Sequence, residues 1–187
     1  MKSLKRCNWP GEDKLMIEYH DKEWGVPTKD ERKIFEFIVL ESAQAGLSWR
    51  TVLHKRENYR KAFSNFDPKK ISKYNEKKVE ELLKNTGIIR NRLKINATIN
   101  NAKRFLEIQK KFGSFFNYLR TFTKKPIINN IKILSNIPAK TELSDRISID
   151  LKKRGFKFMG STIVYAHLQA VGIVDDHLND CFRKSKN

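Results

Sequence analysis

The apolar positions of this chain recur mostly at intervals of three and four residues, the period of an amphipathic helix. Ile34, Phe35, Ile38 and Val39 form one such stripe, and Thr28 with Glu31 has the spacing of a capping box in front of it. Ser48 is placed to cap a second helix that carries Val52, Leu53, Tyr59 and Phe63. Asp67-Pro68 reads as an N-cap followed by proline in the first turn. A short stripe of Val79, Leu82 and Leu83 ends before Gly87. From about Arg92 a longer helix presents Ile95, Ile99, Ala102 and Leu106 on one face and stops near Gly113. Two further helices are predicted over 142–154 and 161–171, closed by Gly155 and Gly172. Only 127–134 (IINNIKIL) is strand-like, without an obvious partner, and 123–141 reads as one long connection. The pattern predicts an all-α fold.

At 187 residues the chain can form one compact domain with a real core, or at most two small lobes. No apolar run approaches the roughly 18 residues of a membrane span. The basic N-terminal stretch is not followed by the apolar segment of a secretory signal. With two cysteines and no export signal, a reducing cytoplasm is the expected location. Charge adds more. The formal net charge is +18, which attracts polyanions, nucleic acid above all. The lysines and arginines are spread along the chain, so a basic surface must be assembled by folding.

Three groups of residues carry potential chemistry. Cys7 and His20 lie near one end of the chain, His177 and Cys181 near the other. Thiolate and imidazole together suit a tetrahedral ion such as zinc, and a closed set of four ligands is structural. The spacing of His177 and Cys181 places them one helical turn apart, whereas the first pair is too widely spaced to be diagnostic. Buried thiols beside incidental histidines are the plain alternative. The second group centres on Glu41, which shares a helix face with Ile34 and Ile38. A carboxylate on an apolar face is costly unless partnered, so it either balances a core arginine or forms the floor of a pocket. The tryptophans Trp9, Trp24 and Trp49 all fall in the first 49 residues, with Tyr19 among them. Such aromatics around a carboxylate suit a flipped purine, which needs faces to stack on and an acceptor for its exocyclic amine. The third is the turn Asn85-Thr86-Gly87-Ile88-Ile89-Arg90-Asn91-Arg92 between two predicted helices. Glycine, a free helix N-terminus, Arg90 and Arg92 together resemble a degenerate helix-hairpin-helix, which holds a DNA backbone regardless of sequence.

Several blocks of the chain resemble the bacterial 3-methyladenine DNA glycosylase I family. These are Cys7-Asn8-Trp9, Glu18-Tyr19-His20-Asp21-x-Glu23-Trp24-Gly25-Val26-Pro27 and Leu40-Glu41-x-x-Gln44-Ala45-Gly46-Leu47-Ser48-Trp49. Gly87-Ile88-Ile89-Arg90, Lys153-Arg154-Gly155-Phe156-Lys157-Phe158 and Asp176-His177-x-x-x-Cys181 continue the match in order. The resemblance implies a single helix-hairpin-helix glycosylase domain over 1–187, with the base pocket between helical lobes. It implies that Cys7, His20, His177 and Cys181 hold one structural zinc that ties the terminal segments together. Glu41 becomes the residue that recognises the base, with Trp9, Tyr19 and Trp49 lining its pocket. From the residues themselves, Gly87, Arg90 and Arg92 are expected DNA contacts, and Leu47 in the Gly46-Leu47 turn is expected to wedge where the base leaves the stack. Met16 stands where the family commonly has an aromatic residue, which bears on how tightly the pocket grips. Asn91 occupies the place of the lysine found in relatives that also cut the strand, so no lyase step is expected.

The implied reaction is hydrolysis of the N-glycosidic bond of 3-methyladenine in double-stranded alkylated DNA by a monomeric enzyme, releasing the free base. Two other classes compete: a non-enzymatic zinc-stapled DNA-binding protein, and a basic RNA-binding or ribosome-associated protein supported by charge alone.

Overall fold

In the computed structural model, which describes residues 4–185, the chain packs around helix α2, Glu31–Gln44. Every side chain from Ile34 to Ala43 is buried, so this helix has no solvent face over most of its length. Its N-cap is Asp30, whose carboxylate accepts the Arg32 and Lys33 amides. The capping box expected at Thr28 is therefore not formed. The Thr28 hydroxyl instead accepts the Asp30 amide at 3.2 Å, which presents Asp30 to the helix. Glu31 points elsewhere. Its carboxylate accepts the amides of Phe115 at 2.7 Å and Phe116 at 3.0 Å, capping helix α8 (Phe115–Arg120, numbered in chain order) from a distant part of the sequence.

Before α2 lies α1, Lys14–Lys22, capped by Asp13. The second predicted helix forms as two, α3 (Trp49–His54, capped by Ser48) and α4 (Arg56–Ala62), which join at Lys55. Asp67 caps the short α5, Pro68–Ile71, as its sequence predicts. The stripe of Val79 and Leu82 lies on α6, Glu76–Lys84. Helix α7, Arg92–Phe112, is the longest at 21 residues and ends at Gly113. Its buried face carries Ile95, Ile99 and Ala102, then shifts to Phe105 and Ile108, leaving Leu106 only half-buried. The Phe105 and Phe115 rings stack at 4.8 Å, and Phe35 of α2 meets Phe105 at 5.0 Å. Helices α9 (Glu142–Lys153) and α10 (Ser161–Ala170) pack against each other, and α10 also lies on α2.

The fold is mostly helical but not purely so. The strand-like run does have a partner: Ile127–Ile128 (β1) pairs in parallel with Val174–Asp175 (β2), and a further bridge joins Ile131 to Leu178. A parallel pair needs a long crossover, supplied here by α9 and α10. The expected featureless connection over 123–141 thus contains β1 and a 3-10 turn at Leu134–Asn136. Among the described residues no helix is long and apolar enough to cross a membrane.

One buried group lies outside all of these arrangements. His167 of α10 is 1% exposed, neither ring nitrogen has a hydrogen-bond partner, and Phe115 meets it edge-on at 6.2 Å. Burial without a partner pushes its pKa down from 6.5 to about 3, so the folded protein holds it neutral. The unfolded chain then binds more protons than the folded one between those values, so stability falls as pH is lowered through that window. His167→Leu should remove this contribution. Urea unfolding from pH 7 to pH 4 should show a stability loss that is smaller in the variant, by up to about 1.4 kcal/mol per pH unit. Parallel pH profiles would show that His167 does not titrate on unfolding.

Candidate base-binding site

Two carboxylates lie buried on α2, five residues apart, and their surroundings are opposite. Glu36 accepts hydrogen bonds from Arg56 Nε at 2.7 Å and Arg60 at 2.8 Å. Arg56 also holds Glu23 with both terminal nitrogens, at 2.6 and 2.9 Å, and Lys33 lies 3.2 Å from Glu23. This network ties α1, α2 and α4 together. Glu41 is 3% exposed and, among the described residues, has no positive partner, and its Oε2 atom makes no hydrogen bond there. Burial alone raises its pKa from 4.5 to about 8. The core-balancing role open to Glu41 from sequence is therefore filled by Glu36.

Glu41 lines a cavity of about 290 Å³ whose other walls are Trp9, Tyr19, Trp24, Gln44, Trp49, Leu134, Ile137, Ala166 and Gln169. That volume lies at the lower end of small-ligand pockets, which start at roughly 300 Å³. Tyr19 lies 5.1 Å from Trp49 and 6.2 Å from Trp9, with Phe37 behind it at 6.0 Å. The indole N–H groups of Trp9 and Trp49 are buried and unpartnered, like Glu41 Oε2. Native proteins rarely bury three such atoms in one place without a ligand to meet them. The arrangement offers aromatic faces, two donors and one ionisable acceptor. It can hold a flat heteroaromatic ring with polar edges, and positive charge on that ring would draw Glu41 back to its ionised form.

Of the residues expected in the pocket, Trp9, Tyr19, Glu41 and Trp49 are all brought together. Met16 is buried but does not line the cavity, so its substitution for an aromatic changes the packing behind the wall. Gln44 falls in the sequence block around Glu41. Leu134, Ile137, Ala166 and Gln169 arrive from the far half of the chain, with no local signal to mark them. Leu47 is 41% exposed in the tight turn between Gln44 and Trp49, where Gly46 has φ +78°.

Helices α6 and α7 are joined by the predicted hairpin turn. Gly87 is needed there, though not by its φ: a side chain would begin 2.9 Å from Asn58 Cγ of α4. The turn is held from the same side by Lys55, which donates to Thr86 O at 3.2 Å, and by the Tyr59 hydroxyl, which accepts the Ile89 amide at 3.2 Å. Asn91 caps α7 by accepting the Lys94 amide. Arg90 is exposed. Arg92 differs: Glu76 and Glu80 of α6 both bind its guanidinium, so its charge is already balanced within the protein. Lys94 Nζ donates to the carbonyls of Ala43 at 2.8 Å and Ala45 at 2.7 Å. It thereby ties the start of α7 to the end of α2, beside the Leu47 turn.

Cys7, His20 and Cys181 place their ligand atoms within 4.8 Å of one another, and both cysteines are free thiols. His177 stands outside that trio but adjoins it, its ring 5.0 Å from that of His20. Its Nε2 is buried and unpartnered. Each histidine has its Nδ1 on a carboxylate, His20 on Asp21 at 2.8 Å and His177 on Asp175 at 2.9 Å. That is how metal-ligating imidazoles are commonly oriented. Gly25, at φ +72°, lies over His177 so closely that a side chain would start 2.6 Å from Cε1. The donor set fits a thiophilic cation.

Fold and site together define a mostly helical protein with an aromatic pocket built around one buried, unpartnered carboxylate. The chain belongs to the methyladenine glycosylase family, which matches residues 9–184. It is 51% identical over 177 residues to the DNA-3-methyladenine glycosylase of Haemophilus influenzae, covering 94% of this chain and 96% of that protein. With DNA-3-methyladenine glycosylase 1 of Escherichia coli it shares 49% identity over 179 residues, 95% of this chain and 96% of the other. A crystal structure of a 3-methyladenine DNA glycosylase I superposes with a TM-score of 0.92 at 50% identity, covering 97% of this chain and all of that one. The Staphylococcus aureus 3-methyladenine DNA glycosylase I, solved to explain 3-methyladenine recognition, gives 0.93 at 34% identity over 98% of both chains.

The contrast between the two buried carboxylates is open to test by stability alone. Glu36→Gln should destabilise the fold by about 3 kcal/mol, because it removes the negative charge that Arg56 and Arg60 share and leaves Arg56 on Glu23 alone. Glu41→Gln should leave stability unchanged or raised at pH 7, since it removes an unpartnered ionisable group. Urea midpoints of the two variants decide it, and comparable losses would make Glu41 a structural carboxylate.

Proposed function

We infer that this protein excises 3-methyladenine from alkylated DNA by hydrolysing the N-glycosidic bond, leaving an abasic site. The observation that carries this reading is Glu41, an ionisable acceptor left unpartnered inside an aromatic box, in a chain of this family. Methylation at N3 makes the base cationic and a good leaving group. The bond to the sugar breaks with its electrons passing to the base, which departs neutral. Water supplies the new bond at the sugar and its proton goes to solvent. The protein's task is to extrude the base, hold it and distinguish it from adenine. Trp9, Tyr19 and Trp49 stack on its faces. Glu41 accepts a hydrogen bond from the exocyclic amine and complements the positive charge. Leu47 wedges into the gap left in the stack.

We read 1–187 as one glycosylase domain acting as a monomer, because both halves of the chain supply walls of one pocket. The α6–α7 turn serves as a helix-hairpin-helix grip on the DNA backbone through Gly87 and Arg90. With Asn91 engaged as a helix cap where a lyase would carry lysine, the reaction stops at the abasic site. We assign one structural zinc to Cys7, His20, His177 and Cys181, which would hold it and be cross-linked by it, away from the reacting bond. Release of free base from methylated duplex DNA separates this reading from a DNA-binding protein without activity.

Three measurements test its parts. At pH 7 the empty pocket holds Glu41 mostly protonated, so kcat/KM for excision, which reads the free enzyme, should rise with pH up to about 8 and then level. Glu41→Gln should flatten that rise and slow excision about ten- to a hundredfold, the worth of a charge-assisted hydrogen bond. An unchanged profile would remove Glu41 from the site. Arg90→Ala should weaken binding to all DNA sequences and make the salt slope shallower by about one unit. Arg92→Ala should do less, because Glu76 and Glu80 already neutralise that charge. Equal losses in both variants would show that the α6 ion pairs open on DNA. Freshly purified protein should contain about one zinc per chain, and Cys181→Ser should lower metal content and stability together. Active, metal-free protein would end the zinc assignment.

A further inference from the structure

The pocket contains a second polar group that the reading above leaves without a role. Gln169 of α10 lines the cavity, and its amide is not free to turn. Its Nε2 donates to Asp176 at 2.7 Å. Asp176 is fully buried and receives two more donors, the Tyr165 hydroxyl at 2.6 Å and the Asn129 amide at 2.7 Å. A buried carboxylate offers only acceptors, so an amide beside it must present N–H, and the carbonyl oxygen must face the other way. Among the described residues no donor reaches Gln169 Oε1. The tie is two-sided, since Gln169's backbone carbonyl accepts the Gly25 amide at 2.9 Å.

The geometry points to Gln169 Oε1 as a second acceptor in the base pocket, and to Asp176 as the positioning residue that fixes it in that sense. The inference rests on the base-excision reading. With Glu41 ionised, it and Gln169 form an all-acceptor polar edge, set against the indole donors of Trp9 and Trp49. Such an edge favours a purine bearing an amine, as adenine does, over one bearing a carbonyl at the same position, as guanine does. An unmade hydrogen bond to a buried polar group discriminates more strongly than a missing methyl group. Discrimination at this site therefore has two carriers, and only one of them is charged.

The test is the affinity of free 3-methyladenine and free 3-methylguanine for wild type, Gln169→Met and Asp176→Asn. Methionine keeps the length of the side chain and removes the acceptor. Gln169→Met should lower the adenine-to-guanine affinity ratio about three- to tenfold, the worth of one neutral hydrogen bond. Affinity for undamaged duplex DNA should stay unchanged. Asp176→Asn leaves the amide free to turn over and should lower the ratio in the same direction. General loosening of the pocket would weaken both bases together and leave the ratio alone. Wild type that binds 3-methyladenine while both variants keep its ratio overturns the inference. Wild type that binds neither base also overturns the inference, whereas failure to release 3-methyladenine from methylated duplex DNA would overturn the base-excision reading itself. If Asp176→Asn does not fold, the Gln169→Met ratio decides alone. If it folds with the wild-type ratio while Gln169→Met shifts, Asp176 loses its positioning role.

Discussion

Because α2 is buried on every side from Ile34 to Ala43, everything polar on it has to be satisfied by other elements or by a ligand. That constraint sorts the helix into two ends. Near its start, Glu36 recruits Arg56 and Arg60 and so fixes α4, which in turn holds the α6–α7 turn through Tyr59. Near its finish, Glu41 is left to the cavity, and Lys94 of α7 caps the last carbonyls. The α6–α7 turn and the aromatic pocket are thus both referenced to one buried helix. A grip on the backbone is useful only if it presents the damaged base at the pocket mouth. Here the distance between the two is set by packing in the core.

The base pocket and the cysteine–histidine cluster share a wall. Trp24 meets Trp9 at 5.2 Å on the pocket side and His177 at 4.6 Å on the other. Trp9 itself lies 5.5 Å from His20. The short segment Asp175-Asp176-His177 divides its side chains between the two sites. Asp175 and His177 turn to the cluster, while Asp176 turns to Gln169. The proposed cross-link through that cluster would therefore stiffen the aromatic walls as well.

Much of this could be read from the residues before any coordinates. The caps at Ser48 and Asp67 announce themselves because a short polar side chain next to an apolar stripe has few other uses. Glu41 stood out as a carboxylate on an apolar face, with the three tryptophans close by in sequence. What stayed hidden depended on distant partners. Thr28 had the spacing of a capping box, but α2 starts two residues later, with Asp30 as its cap accepting the Arg32 and Lys33 amides. The strand-like run found its partner only after a crossover of two helices. The ion pairs of Arg92 gave no sign of themselves, because Glu76 and Glu80 lie 16 and 12 residues earlier, on the preceding helix. Gln169 gave no local sign at all, since its role follows from Asp176 and from a cavity completed by α2.

The cavity walls run from Trp9 to Gln169, so nearly the whole chain must be in place before a base can be recognised. The positive charge that draws the protein to DNA needs no such assembly, because it is spread through the sequence from the start. A nascent or partly unfolded chain would therefore cling to nucleic acid without being able to judge it. Attraction precedes discrimination in the life of each molecule, and only the completed fold turns a generic polycation into an inspector of single bases.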